Sequence, residues 1–181
     1  MAAAVAASAA ASTAASTPVF VYGTLMADEV LHALLDRVPA SAPARLPNFT
    51  RHSIKGRQYP AIIPKADDSV LGKLLFNLSP PEMDLFDAFE DVEYVRHLVS
   101  VQGLAAGREA QREEETKAFV YVWGNVEDPD LHGSWDYEVW RCKWLASYVT
   151  MCQEFAQEWS EGGSWSGIEH RETLQAKGPS S

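Results

Sequence analysis

Val19-Phe20-Val21-Tyr22 is a run of β-branched and aromatic residues ended by Gly23, the pattern of a short buried strand. Beyond Thr24-Leu25-Met26-Ala27 the period changes. Val30, Leu31, Leu34 and Leu35 recur at helical spacing behind Asp28-Glu29, an acidic pair that complements the dipole of a first turn. The opening therefore predicts strand, tight turn, helix. Pro39, Pro43 and Pro47 then read as a punctuated connector. Two short strand-like runs follow, at 61–63 and 71–78. Ser79-Pro80-Pro81-Glu82 predicts a helix start, with serine as cap, proline in the first turn and Glu82 where a capping box places its carboxylate; the helix runs to about Asp91. Residues 94–101 predict a strand with Val95, His97, Val99 and Val101 on one face and Tyr94, Arg96 and Leu98 on the other. The charged stretch 103–117 reads as an exposed hairpin loop and 119–123 as the last clear strand. Over 135–159, Trp140, Trp144, Tyr148, Cys152, Phe155 and Trp159 form a wide helical stripe that must bury itself. Short strands mixed with a few helices, without regular alternation, predict a barrel-like mixed sheet with helices packed outside.

Composition adds boundaries to this picture. The chain has 181 residues, 46% hydrophobic and 22% charged, enough apolar content for one substantial core. The folded part is expected over 18–160, after a disordered Ala/Ser/Thr-rich segment at 1–17 and before a flexible Gly/Ser-rich tail at 161–181. Segment 1–17 lacks the basic start and bulky apolar centre of a secretory signal. It also lacks the arginines of a transit peptide, although its Ser-rich, acid-free make-up leaves organelle import as an alternative. With 15 Lys+Arg against 25 Asp+Glu the formal charge is -10, a field that repels nucleic acid and anionic lipid. No run reaches the roughly 18 apolar residues of a membrane span. Cys142 and Cys152 lie ten residues apart on one predicted helix, about 15 Å at its rise per residue, so they cannot bridge. A reducing, cytoplasmic compartment is the expectation.

Three places carry residues fit for chemistry. The turn Tyr22, Gly23, Thr24, Leu25, Met26, Ala27 joins a buried strand to a helix; its amides suit a carboxylate, although glycine there also serves a plain turn. On the helix after Ser79, plotted at about 100° per residue, Met83, Leu85, Phe86 and Phe89 share one arc, with Asp84, Asp87 and Asp91 opposite. Glu90 falls inside the apolar arc, so it is either a helix end reaching water or a carboxylate in a partly dry cavity, where desolvation suits a general base or acid. Asp84, Asp87, Asp91 and Glu93 read as a solvated face. Third, Lys55-Gly56-Arg57 precedes Tyr59-Pro60; Arg57 either sits on the surface or binds a substrate carboxylate. Tyr94, Arg96 and Tyr121 read as packing or as pocket lining. The five histidines, 32, 52, 97, 132 and 170, have no metal-site spacing, and the chain has no phosphate loop and no Gly-x-Ser-x-Gly elbow. Chemistry without a metal or cofactor, or plain binding, is what these residues leave.

Phe20-Val21-Tyr22-Gly23-Thr24-Leu25, Lys55-Gly56-Arg57 with Tyr59-Pro60-Ala61-Ile62, and Leu85-Phe86-Asp87-Ala88-Phe89-Glu90 with Tyr94-Val95-Arg96 together resemble the gamma-glutamylcyclotransferase-like family. Tyr121-Val122-Trp123 and Gly133-Ser134-Trp135-Asp136-Tyr137-Glu138, with the helix that follows, resemble its plant avirulence-induced branch. The resemblance spans nearly all of 19–159 and implies an α+β fold, a small mixed β-barrel with flanking helices and here a long C-terminal helix. It implies a cofactor-free transferase acting on a small γ-glutamyl peptide or amine, in which the free α-amine attacks the side-chain carbonyl and 5-oxoproline forms. Tyr22, Gly23, Thr24, Leu25, Met26 and Ala27 would hold the glutamyl head, and Glu90 would move the proton. Where many relatives have glycine after the glutamate, this chain has Asp91. The alternative is a binding or interaction module that keeps the cavity without the reaction.

Overall fold

Alternation along the strands sorts the apolar residues into two cores in the computed structural model, which describes residues 16–104 and 114–162. From β1 (Val19–Val21), Phe20 joins Ala44, Leu46, Ile62, Val70, Leu74, Val101, Ala118, Val120 and Val122 in the barrel interior. Val19 and Val21 point the other way, into a second core shared with the helices, and so do Tyr121 and Trp123. Successive side chains on a strand face opposite sides, so one sheet serves both cores.

The strands are β1, β2 (Ser41–Ile54), β3 (Pro60–Leu75), β4 (Tyr94–Gly103), β5 (Glu115–Trp123) and the two-residue β6 (Leu131–His132). Their order is β3-β1-β5-β4-β2-β6, and pairing of β2 with β3 closes five of them into a barrel with β6 at its side. β1 runs antiparallel to β3 and parallel to β5. Gly72 is required where β3 crosses β1, because a Cβ there would collide with the Val21 carbonyl oxygen and the Phe20 ring.

Three strand expectations are corrected. The proline-punctuated connector is β2, a 14-residue strand. Its prolines are compatible with this because β2 pairs with β4 only at Ala44 and Arg45, and Pro47 sits at a register shift opposite β3, so few ladder bonds need their missing N–H groups. The run at 61–63 and the first part of the run at 71–78 belong to one strand, β3, which ends at Leu75 and whose middle, Lys65 to Asp67, is exposed beside that same shift. The expected loop at 103–117 is shorter, since β4 continues to Gly103 and β5 starts at Glu115; 105–113 lie outside the described residues. So do 1–15 and 163–181, most of the expected N-terminal segment and tail.

The helices are α1 (Asp28–Leu35), α2 (Pro80–Glu90) and α3 (Tyr137–Ser160). Ser79 and Glu82 form the capping box that starts α2, with the Ser79 N–H donating to Glu82 Oε2 at 2.7 Å. The Glu82 carboxyl is held down to about 2, first by the Arg37 guanidinium that hydrogen-bonds it at 2.6 Å. Asp136 caps α3 by accepting from the Val139 amide at 2.8 Å. Trp140, Tyr148, Met151, Cys152 and Phe155 are its buried stripe, whereas Trp159, at 38% exposure, lies at the edge. Phe155 and Tyr148 both meet the Phe89 ring edge-on, with centroids 5.2 and 6.5 Å away. Those contacts pack α3 against the last turn of α2.

Candidate functional site

The turn after β1 is a single 3-10 turn over Thr24–Met26. The Met26 amide donates to the Gly23 carbonyl and the Ala27 amide to the Thr24 carbonyl, so those two N–H groups are satisfied inside the turn. The first amides of a helical turn, here Thr24 and Leu25, have no partner within it and suit an anion. Gly23 lets the turn lie against the next loop: a Cβ there would stand 2.7 Å from Pro60 Cγ. Arg51 braces the turn from β2, its guanidinium donating to the Tyr22 carbonyl at 2.6 Å and lying 5.3 Å from the Trp135 ring centroid. From α3, Tyr148 meets Thr24, whose Oγ1 donates to its hydroxyl at 3.3 Å.

Facing the turn is Glu90, the last residue of α2, half-buried. The two share a cleft with about 390 Å³ of open space, mouth included, bordered by Phe20 to Leu25, Tyr59, Pro60, Glu90, Tyr94, Tyr121 and Tyr148. Glu90 thus borders a cleft while remaining half-exposed at the end of α2. Its charge is felt across the cleft. The Tyr22 phenol is pushed well up, first by burial and next by Glu90. Tyr121 is raised too, by burial, then by its hydrogen bond to Asp87, then by the charges of Asp87 and Glu90. Both phenols therefore keep their protons at neutral pH. Tyr22 donates to the Tyr121 carbonyl at 2.7 Å, Tyr94 to the Pro60 carbonyl at 2.8 Å, and Tyr121 to Asp87 at 2.6 Å.

The structure thus brings together Tyr22, Gly23, Thr24 and Leu25 with Glu90, from two parts of the chain. Met26 and Ala27 are not on the cleft wall: Ala27 is buried at the start of α1, and Met26 packs on the helix-side core. Tyr94 and Tyr121 line the cleft, and Tyr59, Pro60 and Tyr148 join them. Their signal in the sequence was an aromatic ring with a polar tip on an otherwise apolar stripe, a side chain that demands a hydrogen-bond partner when buried.

The acidic residues around α2 are not one solvated face. Glu93 accepts from the Tyr59 hydroxyl at 2.8 Å and pairs with Arg57 at 3.1 Å; Arg57 also donates to Tyr59 at 2.9 Å. Arg57 is therefore neither a free surface cation nor a lone carboxylate fork but part of a half-buried pair. Asp87 pairs with Arg96 at 2.8 Å. Asp91, straight after Glu90, is not on the cleft wall. It has φ 58° and ψ -165°, a backbone region that is essentially glycine's own, and its carboxylate accepts from the Val92 amide at 2.7 Å. That explains physically why glycine suits this position. Asp91→Gly is expected to relieve strain and stabilise the fold by about 1 kcal/mol, after the flexibility that glycine adds to the unfolded chain. The check is a thermal melt, with Tm about 2–4 °C higher.

Known proteins share this chain's family and fold. The model of the family described as gamma-glutamyl cyclotransferase, AIG2-like, matches residues 19–141. AIG2-like protein D of Arabidopsis thaliana is 47% identical over 140 residues, covering 77% of this chain and 89% of the relative. Protein AIG2 C of the same plant is 32% identical, covering 83% and 87%. Among solved structures, an Arabidopsis thaliana protein determined in solution superposes with a TM-score of 0.58 at 34% identity, covering 81% of this chain and 91% of that one. A structure titled gamma-glutamyl cyclotransferase shares the fold at 20% identity and a TM-score of 0.52, covering 90% and 99%. The α+β barrel with flanking helices and a long C-terminal helix is the fold of these structures, and the chain belongs to the gamma-glutamyl cyclotransferase, AIG2-like family.

Proposed function

We propose that the protein is a γ-glutamyl cyclotransferase that converts a small γ-glutamyl peptide or amine into 5-oxoproline and a free amine. The observation carrying this is one cleft that a carboxylate, Glu90, shares with Thr24 and Leu25, the first residues of the helical turn. The substrate's glutamyl head has a carboxylate and an ammonium on the same carbon. The amides of Thr24 and Leu25 receive the carboxylate, and Glu90 receives the ammonium.

Glu90 then takes a proton from the ammonium, leaving an amine lone pair aimed at the γ-carbonyl of the same residue. A bond forms between that nitrogen and the carbonyl carbon, closing a five-membered ring. Collapse of the tetrahedral carbon breaks its bond to the leaving nitrogen, to which Glu90 passes the proton it holds. The freed carboxylate then takes the second proton from the ring nitrogen, leaving the neutral lactam, and gives it to the released amine, which departs as its ammonium. Nucleophile and electrophile belong to one molecule, so holding the head in a folded conformation supplies the proximity that a protein nucleophile otherwise provides.

The test is a mass-spectrometric assay for 5-oxoproline across a panel of γ-glutamyl peptides and γ-glutamyl amines. Product is expected from compounds with a free α-amine and none from their α-N-acetyl counterparts, which have no ammonium for Glu90. Absence of product from the whole panel, with the protein folded, rejects the reading in favour of a binding module. The best substrate names the leaving group.

A further inference from the structure

Asp87 lies one helical turn before Glu90 on α2, and its exposed carboxylate is held from two directions. Tyr121, from β5, donates its hydroxyl proton to Oδ1 at 2.6 Å. Arg96, from β4, donates from Nη1 to Oδ1 and Oδ2 at 3.0 and 2.8 Å. The Arg96 guanidinium is itself seated over the Phe119 ring, 4.9 Å from its centroid. This chain of contacts ends at the cleft, because Tyr121 lines it together with Glu90.

A phenol has one proton to donate and lone pairs to offer. With the proton given to Asp87, the Tyr121 oxygen has only acceptor capacity left for the cleft. Without Asp87, the negatively charged acceptor within the same cleft is Glu90. A hydrogen bond donated to Glu90 would stabilise its charged form, weaken it as a base and occupy an oxygen that the substrate ammonium needs.

We infer that Asp87, oriented by Arg96, is a positioning residue that holds the Tyr121 hydroxyl proton away from Glu90, so that the oxygen of Tyr121 and the carboxylate of Glu90 both face the substrate's ammonium as acceptors. What enters the cleft rests on the cyclotransferase reading; the direction of the Tyr121 hydroxyl does not.

The full-length chain is compared with Asp87→Ala, Asp87→Asn, Tyr121→Phe and the double variant Asp87→Ala/Tyr121→Phe. kcat and KM are measured on the best γ-glutamyl substrate, and each protein is labelled with ζ-13C tyrosine for NMR. Asp87→Ala is expected to lower kcat/KM about tenfold, the scale of a hydrogen bond to a charged group. Asp87→Asn keeps an acceptor for Tyr121 while losing the charge that faces Arg96, and should retain about a third of the rate or more. In the double variant the Asp87 change should add nothing to the loss caused by Tyr121→Phe. If Asp87 served only as the ion pair of Arg96, Asn would be as damaging as Ala and the losses would add; either result overturns the inference. The Tyr121 resonance, assigned by its disappearance in Tyr121→Phe, should move in Asp87→Ala and much less in Asp87→Asn. A resonance indifferent to Asp87 overturns the inference. A wild type silent on every substrate, with the resonance still Asp87-dependent, supports the hydroxyl's orientation and overturns the cyclotransferase reading instead.

Discussion

Glu90→Gln is expected to fold and melt like the parent protein and to release 5-oxoproline at least about 1,000-fold more slowly. The amide has the size and shape of the carboxylate and hydrogen-bonds in the same place, so packing around the end of α2 is conserved. It cannot accept the proton of an α-ammonium, and the attacking amine is then never freed. General acid–base groups contribute about 10²–10⁴-fold, and in the proposed reaction one residue serves in both directions, which puts the loss in the upper part of that range. The measurement is single-turnover formation of 5-oxoproline, with circular dichroism and a thermal melt alongside. A variant that keeps more than about a tenth of the rate would remove Glu90 from the chemistry. Binding supplies a second readout: a variant that still binds the γ-glutamyl compound but does not cyclise it separates proton transfer from recognition.

The largest stability effect is expected one residue earlier. Phe89 is 2% exposed and stands where the edges of Phe155 and Tyr148 converge on its ring. Phe89→Ala removes an aromatic side chain from a close-packed site. The cost is the lost transfer energy plus a cavity that the rigid α3 cannot collapse to fill, about 3–5 kcal/mol, or a Tm roughly 10 °C lower. Because Phe89 also anchors the turn that carries Glu90, a denaturant titration should show the stability loss while kcat/KM falls even under conditions where the variant is fully folded. Phe89→Leu, which restores part of the volume, should recover most of the stability. Stability unchanged in Phe89→Ala would mean that α2 is not docked through this ring.

Glu90 was conspicuous in the sequence for a local reason. Where a side chain falls on a helical wheel depends only on counting from the capping box at Ser79, and four apolar neighbours of known register place it on their side. The turn at Gly23 was legible for a similar reason, since a strand pattern stops and a helix pattern starts within a few residues. Counting also had limits. It assigned Asp87 and Glu93 to a solvated face, because the wheel holds no information about what approaches from elsewhere in the chain. Arg96, Tyr121 and Tyr59 do approach, and they turn both carboxylates into hydrogen-bond acceptors next to the cleft. The prolines of β2 misled for the converse reason: proline opposes a strand only where its missing N–H is needed, and that depends on how little of β2 the neighbouring strand β4 covers.

By itself, then, the sequence determined the helices, the capping box, the strands β1, β4 and β5, the carboxylate on an apolar arc and the family motifs, because each is set by residues within a few positions of one another. Tertiary structure decided what closes the cleft. Tyr22 reaches Tyr121 across 99 residues, Thr24 reaches Tyr148 across 124, and Tyr121 reaches Asp87 across 34. Those pairings follow from the closure of the barrel and the docking of α3 on α2. They exist only once both cores have formed, because a buried phenol's choice of partner is set by which acceptor the whole packed chain leaves within reach.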